Sequence, residues 1–136
     1  DKYIERRYGK KLCEIVSEQG EEQFKITEAE CLKSIEEDNV IISTGGSAVY
    51  YDDAMKYLKS RGKVIYLYVG LDLIKKRLGD YSKRGIVMKE GQTIDDLYRE
   101  RCSLYEKYAD FTVNCNGTAY PKYQAQVITA IRDWLK

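Results

Sequence analysis

The pattern best suited to holding a ligand is Ser43-Thr44-Gly45-Gly46-Ser47. It follows the β-branched run Val40-Ile41-Ile42, and together these residues predict a short buried parallel strand over 40–44 that ends in a turn. Ligands of parallel sheets sit at the C-terminal ends of the strands. Paired glycines there let the backbone approach a ligand and offer N–H groups to an anion or a hydroxyl. Taken alone, a Gly-Gly pair after a strand is more often just a turn. It does not have GxGxxG spacing, and the chain contains no GxxxxGK[ST] phosphate loop.

A second set is Arg77, Arg84 and Arg101. Arg77 and Arg84 bracket the start of a polar stretch, residues 79–92 (GDYSKRGIVMKEGQ), which carries Gly79, Gly85 and Gly91 and predicts a mobile loop. Single surface arginines usually do nothing specific, but three around such a loop suit a lid that closes on phosphate. Asp1 and Glu5 lie one helical turn apart, a spacing that usually means only a solvated face, and Lys25 and Glu28 at i, i+3 are placed to pair. The chain has no histidine, which removes Ser-His and Cys-His mechanisms. A general base must then be a carboxylate, Lys, Tyr or Cys.

Composition narrows the class further. The 136 residues include 23 Lys+Arg against 22 Asp+Glu, a balance that gives no electrostatic case for nucleic acid or an anionic membrane surface. Hydrophobic content is 43% and charged content 33%, as in a soluble globular domain. No apolar run is long enough to span a bilayer. Cys13, Cys31, Cys102 and Cys115 lack CxxC spacing, which reads as reduced thiols of a cytoplasmic protein without structural zinc.

These residues need elements to hold them. Periodicity predicts helix in two pieces over 2–19, broken at Gly9 and stopped at Gly20, with Ile4, Leu12, Ile15 and Val16 on the buried face. A second helical stretch over 21–37 carries the stripe Phe24, Thr27, Cys31, Leu32 and Ile35. After the strand at 40–44 come a helix over 51–61, a strand over 63–69 and a helix over 71–78. Thr93 caps a helix that runs to about 109, a third strand covers 111–115, and Pro121 opens the last helix. Strands alternating with helices predict one α/β domain over 1–136, three layers deep, with a parallel sheet.

Taken in order, these pieces resemble the shikimate kinase family of P-loop phosphotransferases. The matching segments are Asp1-Lys-Tyr-Ile-Glu5-Arg-Arg-Tyr-Gly9, Gly20-Glu-Glu-Gln-Phe24-Lys25 continuing to Glu28, Thr44-Gly45-Gly46-Ser47-Ala48-Val49 and Val64-Ile65-Tyr66-Leu67. Arg77 with Arg84, then Arg101-Cys-Ser-Leu104-Tyr105 and Ala109-Asp110, complete the set. The resemblance implies a nucleoside-kinase-like sheet of strand order 2-3-1-4-5. It implies transfer of the γ-phosphoryl group of ATP, with Mg²⁺, to a hydroxyl of a small carboxylated polyol, giving shikimate 3-phosphate in aromatic amino-acid biosynthesis. It also implies a cytoplasmic monomer.

By the same resemblance Asp1 hydrogen-bonds the substrate hydroxyl and takes its proton, and Gly45 and Gly46 bring backbone N–H groups to the substrate. Arg101 grips the substrate carboxylate, Lys25 stands where the family has a second carboxylate-binding arginine, and Arg84 is the lid arginine. Arg77 stacks on adenine, with Pro121 on the other side of the base.

The departures are Lys25 in place of that arginine, Ser47 in place of a third glycine, and Arg84-Gly85 in place of Arg-Pro. Lysine keeps the charge but not the planar fork, which leaves open another hydroxy-acid as the substrate. The family's first two strands and phosphate loop are expected upstream of Asp1, carrying the Mg²⁺ site with them, so that these 136 residues alone are expected to be inactive. The alternative reading is a degenerate kinase relative that binds a small acid or a partner without catalysis. A dinucleotide-binding domain with Asp72 on the ribose is a weaker third, because the glycine spacing is wrong for it.

Overall fold

The computed structural model of the protein describes residues 1–79, 88, 91–117 and 120–136. They form two compact units, Asp1–Gly62 and Lys63–Lys136.

The first unit is helical. Helix α1 (Lys2–Tyr8) ends at Gly9, whose φ of 65° lies in the left-handed region that glycine adopts without penalty. Helix α2 (Leu12–Gln19) is separated from α3 (Glu21–Lys33) by Gly20 alone, at φ 78°. Ile4, Ile15 and Cys31, one from each helix, form a buried cluster with Leu12 and Phe24 packed against it. Three apolar faces of i, i+3/i+4 spacing are thus closed against each other. Glu5 does more than face solvent, because its Oε1 accepts from the Leu12 backbone N–H at 3.0 Å and so ties α1 to the first turn of α2.

Helix α3 stops at Lys33, short of the expected residue 37. Ser34 turns its hydroxyl back onto the Cys31 carbonyl at 2.9 Å. The Glu36-Glu37-Asp38 run that follows would place three negative charges at the negative end of a helix dipole. A 3-10 turn (Ala48–Tyr50) then leads into α4 (Asp52–Arg61).

Residues 40–44 are irregular, not the strand expected of them. Val40, Ile41 and Ile42 are 50%, 84% and 39% exposed. β-Branched composition favours extended backbone but does not supply a neighbour, and a strand is defined by the hydrogen bonds it exchanges. Among the described residues the sheet has two strands, neither of which includes this run.

The second unit holds that sheet. Strand β1 (Ile65–Tyr68) pairs in parallel with β2 (Phe111–Asn114), Ile65 opposite Phe111 and Tyr68 opposite Asn114. The crossover between them contains α5 (Leu71–Leu78) and α6 (Ile94–Tyr108), and α7 (Tyr120–Trp134) follows β2. This is the connection a parallel pair requires, and the chain is an α/β protein as its alternation predicted.

Side chains close both ends of the ladder. The Asp110 carboxylate accepts from Val64 N–H at 2.8 Å, and Asn116 Oδ1 accepts from Gly70 N–H at 2.7 Å. A Cβ on Gly70 would sit 3.2 Å from that Oδ1, so glycine is what lets Asn116 reach the backbone there. Helix α6 begins at the expected cap Thr93, which forms a capping box, Thr93 Oγ1 accepting from Asp96 N–H and the Asp96 carboxylate accepting from Thr93 N–H. No helix among the described residues is long and apolar enough to cross a membrane.

Candidate functional site

In the first unit the site is built around one carboxylate. Glu28 lies on the same helical face as Phe24, Cys31 and Leu32 and is only 9% exposed. A charge in that position has to be paired or hydrogen-bonded. Two hydroxyls do this: Ser47 Oγ donates to Glu28 Oε2 at 2.9 Å, and Tyr51 OH donates to the same oxygen at 2.7 Å. Hydrogen bonds to an ionised acceptor are the strong kind.

Both donors flank the same piece of backbone. Ser47 ends the glycine pair and Tyr51 ends the 3-10 turn, so Glu28 fastens residues 45–51 to α3 from both sides. The turn is closed internally by Ala48 N–H to Gly45 C=O at 3.3 Å and Tyr50 N–H to Ser47 C=O at 3.0 Å. Gly45 and Gly46 themselves are exposed, so their backbone faces outward above the clamp.

Gly45 is not among the glycines with positive φ. Its constraint is the approach to Glu28, since a Cβ there would stand 3.3 Å from Glu28 Oε1.

Lys25 does not pair with Glu28 as its spacing suggested. It bonds Glu22 on the outward face of α3, and its side chain stays 47% exposed. The Glu22 carboxylate raises the Lys25 ammonium above its ordinary value through that hydrogen bond. Asp1 is the N-cap residue of α1; its carbonyl accepts from Glu5 N–H at 3.0 Å, while its exposed carboxylate makes no capping bond.

In the second unit Arg101 lies in the middle of α6, half-buried, with its Nε atom buried. Its neighbours on that helix face fix it. Tyr98 OH donates to the Val69 carbonyl at 3.0 Å, Cys102 Sγ meets Tyr66 OH at 3.2 Å, and the Tyr105 ring lies 5.1 Å from that of Tyr66. Residues 98, 102 and 105 therefore bind α6 to β1 and its end, and Arg101 rides on the same surface. Burial, with the Cys102 hydrogen bond, pushes the Tyr66 phenol far above its ordinary value, and burial does the same for Tyr98.

Arg77 is exposed in the last turn of α5, and Pro121 is the second residue of α7. Arg84, and most of the 79–92 stretch, lie outside the described residues. The described residues include no group of three or more His, Cys, Asp or Glu side chains that could hold a metal ion.

A scan against family models matches the shikimate kinase model over residues 1–136. The chain belongs to the shikimate kinase family. Family members are ATP-dependent phosphotransferases. It is 30% identical over 138 residues to the shikimate kinase of Dictyoglomus turgidum, covering 98% of this chain and 80% of that protein. Over 108 residues it is 39% identical to the Bacillus anthracis enzyme, covering 79% of this chain and 66% of that one. Among solved structures, shikimate kinase from Acinetobacter baumannii in complex with shikimate superposes with a TM-score of 0.80 at 28% identity, covering all of this chain and 78% of that one. These neighbours give the chain the P-loop kinase fold.

The sequence reading gave Glu28 only a pairing with Lys25, and the buried clamp it forms was missed. Its signal was present: a carboxylate inside an apolar stripe, where only a partnered charge survives.

Proposed function

We propose that this protein phosphorylates a hydroxyl of shikimate with ATP. The match of the family pattern across residues 1–136 carries the reading. The substrate oxygen attacks the γ-phosphorus, the bond from that phosphorus to the bridging oxygen breaks, and ADP leaves. The hydroxyl proton goes to a carboxylate, for which we assign Asp1, whose exposed side chain makes no capping bond.

The exposed Gly45-Gly46 backbone offers N–H groups to the substrate, and Arg101 forms a two-pronged pair with the substrate carboxylate. Lys25, turned toward Glu22, contributes positive potential and not a fork. Arg77 and the Pro121 region take the two faces of adenine, and Arg84 answers the charge on the transferring phosphoryl group.

Mg²⁺ accompanies ATP in this reading. We place the protein in the cytoplasm as a monomeric single-domain enzyme, which size-exclusion chromatography with light scattering would test.

The test of function is direct. Full-length protein with ATP and Mg²⁺ should release ADP in proportion to added shikimate, read by a coupled assay and by mass spectrometry of the phosphorylated product. No turnover with shikimate or any related hydroxy-acid would defeat the proposal and favour a binding protein without catalysis.

A further inference from the structure

We propose that Glu28 is a positioning residue for substrate recognition, holding the Gly45-Gly46 turn in its productive shape through the hydroxyls of Ser47 and Tyr51. The inference rests on the reading above that this turn binds the substrate.

Three observations support it. First, the carboxylate is buried, yet the cation one turn earlier on its own helix is committed elsewhere, Lys25 to Glu22. Its two hydroxyl partners both come from the segment that follows the glycines, 19 and 23 residues away in sequence. A buried carboxylate held by long-range donors fixes where those donors stand, because moving either one removes half of its hydrogen bonding.

Second, the geometry is two-sided. Ser47 and Tyr51 lie on either flank of the 3-10 turn, so a rotation of the turn that keeps one bond breaks the other. Third, Glu28 Oε1 lies against Gly45, close enough that an added Cβ would be 3.3 Å away. One oxygen therefore fastens the turn while the other supports its first glycine from beneath.

Ser47 also acquires a reason. Where the family pattern places a third glycine, this chain has a side chain whose proton goes to Glu28, and Lys25 does not reach that carboxylate. The pair of departures becomes one device: charge at position 25 faces outward, and a hydroxyl at 47 satisfies the buried acid.

The experiment uses full-length protein carrying Glu28→Gln, Ser47→Ala, Tyr51→Phe and the combination of Glu28→Gln with Ser47→Ala. Two readouts are taken: amide hydrogen exchange at residues 45–48, and separate KM values for shikimate and ATP. Glu28→Gln keeps the shape and removes the charge, so exchange in the turn should quicken by about tenfold. The shikimate KM should rise by a similar factor while the ATP KM stays within about twofold.

Ser47→Ala and Tyr51→Phe should each give roughly threefold, and Ser47→Ala should add little once Glu28 is Gln, because the acceptor has already been weakened. Ser47→Thr, which retains the donor, should stay near the parent. Unchanged exchange at 45–48 in Glu28→Gln overturns the clamp whatever the substrate. Quickened exchange with both KM values moved equally, or neither, overturns its role in recognition. If the parent itself does not turn over shikimate, the functional reading has failed, and the recognition role falls with it while the exchange result still judges the clamp.

Discussion

The comparison of Arg101 with Lys25 gives the most direct measure of how this protein holds an acidic substrate. Both are cations that the family pattern places near the substrate carboxylate, but the structure sets them in different dielectric surroundings. Arg101 is half-buried with its Nε enclosed, anchored on a helix face that Tyr98, Cys102 and Tyr105 bind to β1. Lys25 is nearly half-exposed and shares its charge with Glu22.

A hydrogen bond to a charged group is worth about 1.5–3 kcal/mol net. A guanidinium fork makes two, about 3–6 kcal/mol together, and partial exposure to solvent screens this to about 2–3 kcal/mol. At about 1.4 kcal/mol per decade, Arg101→Ala should therefore raise the shikimate KM by about 30- to 150-fold. Lys25→Ala removes a screened surface charge and should raise it by roughly fivefold at most.

The assay is steady-state kinetics of the full-length protein with each substrate varied in turn, and the ATP KM should change by no more than about twofold in either variant. Circular dichroism melts check that Arg101→Ala remains folded, and Arg101→Lys separates fork from charge, since it should recover only part of the loss. Equal rises in both KM values for Arg101→Ala, or a larger effect at Lys25 than at Arg101, would refute the assignment.

Gly45→Ala should lower stability by about 1 kcal/mol and weaken shikimate binding, because the added methyl meets a Glu28 carboxylate that two hydroxyls hold in place; a denaturant midpoint and KM together check this. Thr93→Ala should cost about 1 kcal/mol in chemical denaturation through loss of the α6 capping box. The Thr93 hydrogen bonds hold the Asp96 carboxyl below its ordinary value. That contribution is fully present above the unfolded carboxyl range and ebbs as pH falls through the folded value, so Thr93→Ala should flatten the acid side of the melting curve. Tyr66 and Tyr98, raised by burial, should stay protonated in the folded protein above the ordinary phenol range. Unfolding releases those protons near the ordinary phenol range, so stability should fall as pH rises beyond about 10, and Tyr66→Phe should lessen that fall in an alkaline titration followed by tyrosine absorbance.

The elements that were legible in the sequence are those whose cause is local. Thr93 marked the cap of α6, Gly9 and Gly20 marked helix ends that need left-handed or unusual backbone, and α5 runs over 71–78 as expected. What failed depended on partners. The run 40–44 has the composition of a strand but no ladder among the described residues, and α3 ended early because Ser34 and three acidic residues disfavour another turn. Of the proposed site, the glycine turn and the arginine on α6 are named from type and order alone. The orientation of Lys25 could not be read this way, since Glu22 and Glu28 are equally spaced from it and only burial decides between them.

That last choice shows how a change of residue type alters a site beyond its own position. Lys25 on α3 has acidic neighbours on both sides, Glu21 and Glu22 in water and Glu28 buried. Reaching the buried one would strip a strongly hydrated ammonium of solvent, and Glu28 already has two neutral donors that carry no such cost. The ammonium therefore stays outside with Glu22. A serine hydroxyl after the glycine pair is the compact group that reaches the acid from the turn without crowding it. Ser47 serves Glu28 directly and Lys25 does not reach it, so restoring glycine at position 47 alone should leave the carboxylate worse served than it is now. Ser47→Gly by itself is the clearest case: it recreates the family's third glycine, yet it removes a donor from a buried charge that Lys25 does not serve. It should weaken shikimate binding, whereas Ser47→Gly combined with Lys25→Arg should recover it if the guanidinium reaches Glu28. Kinetics in which the single change binds shikimate as tightly as the parent would show that the two positions vary independently.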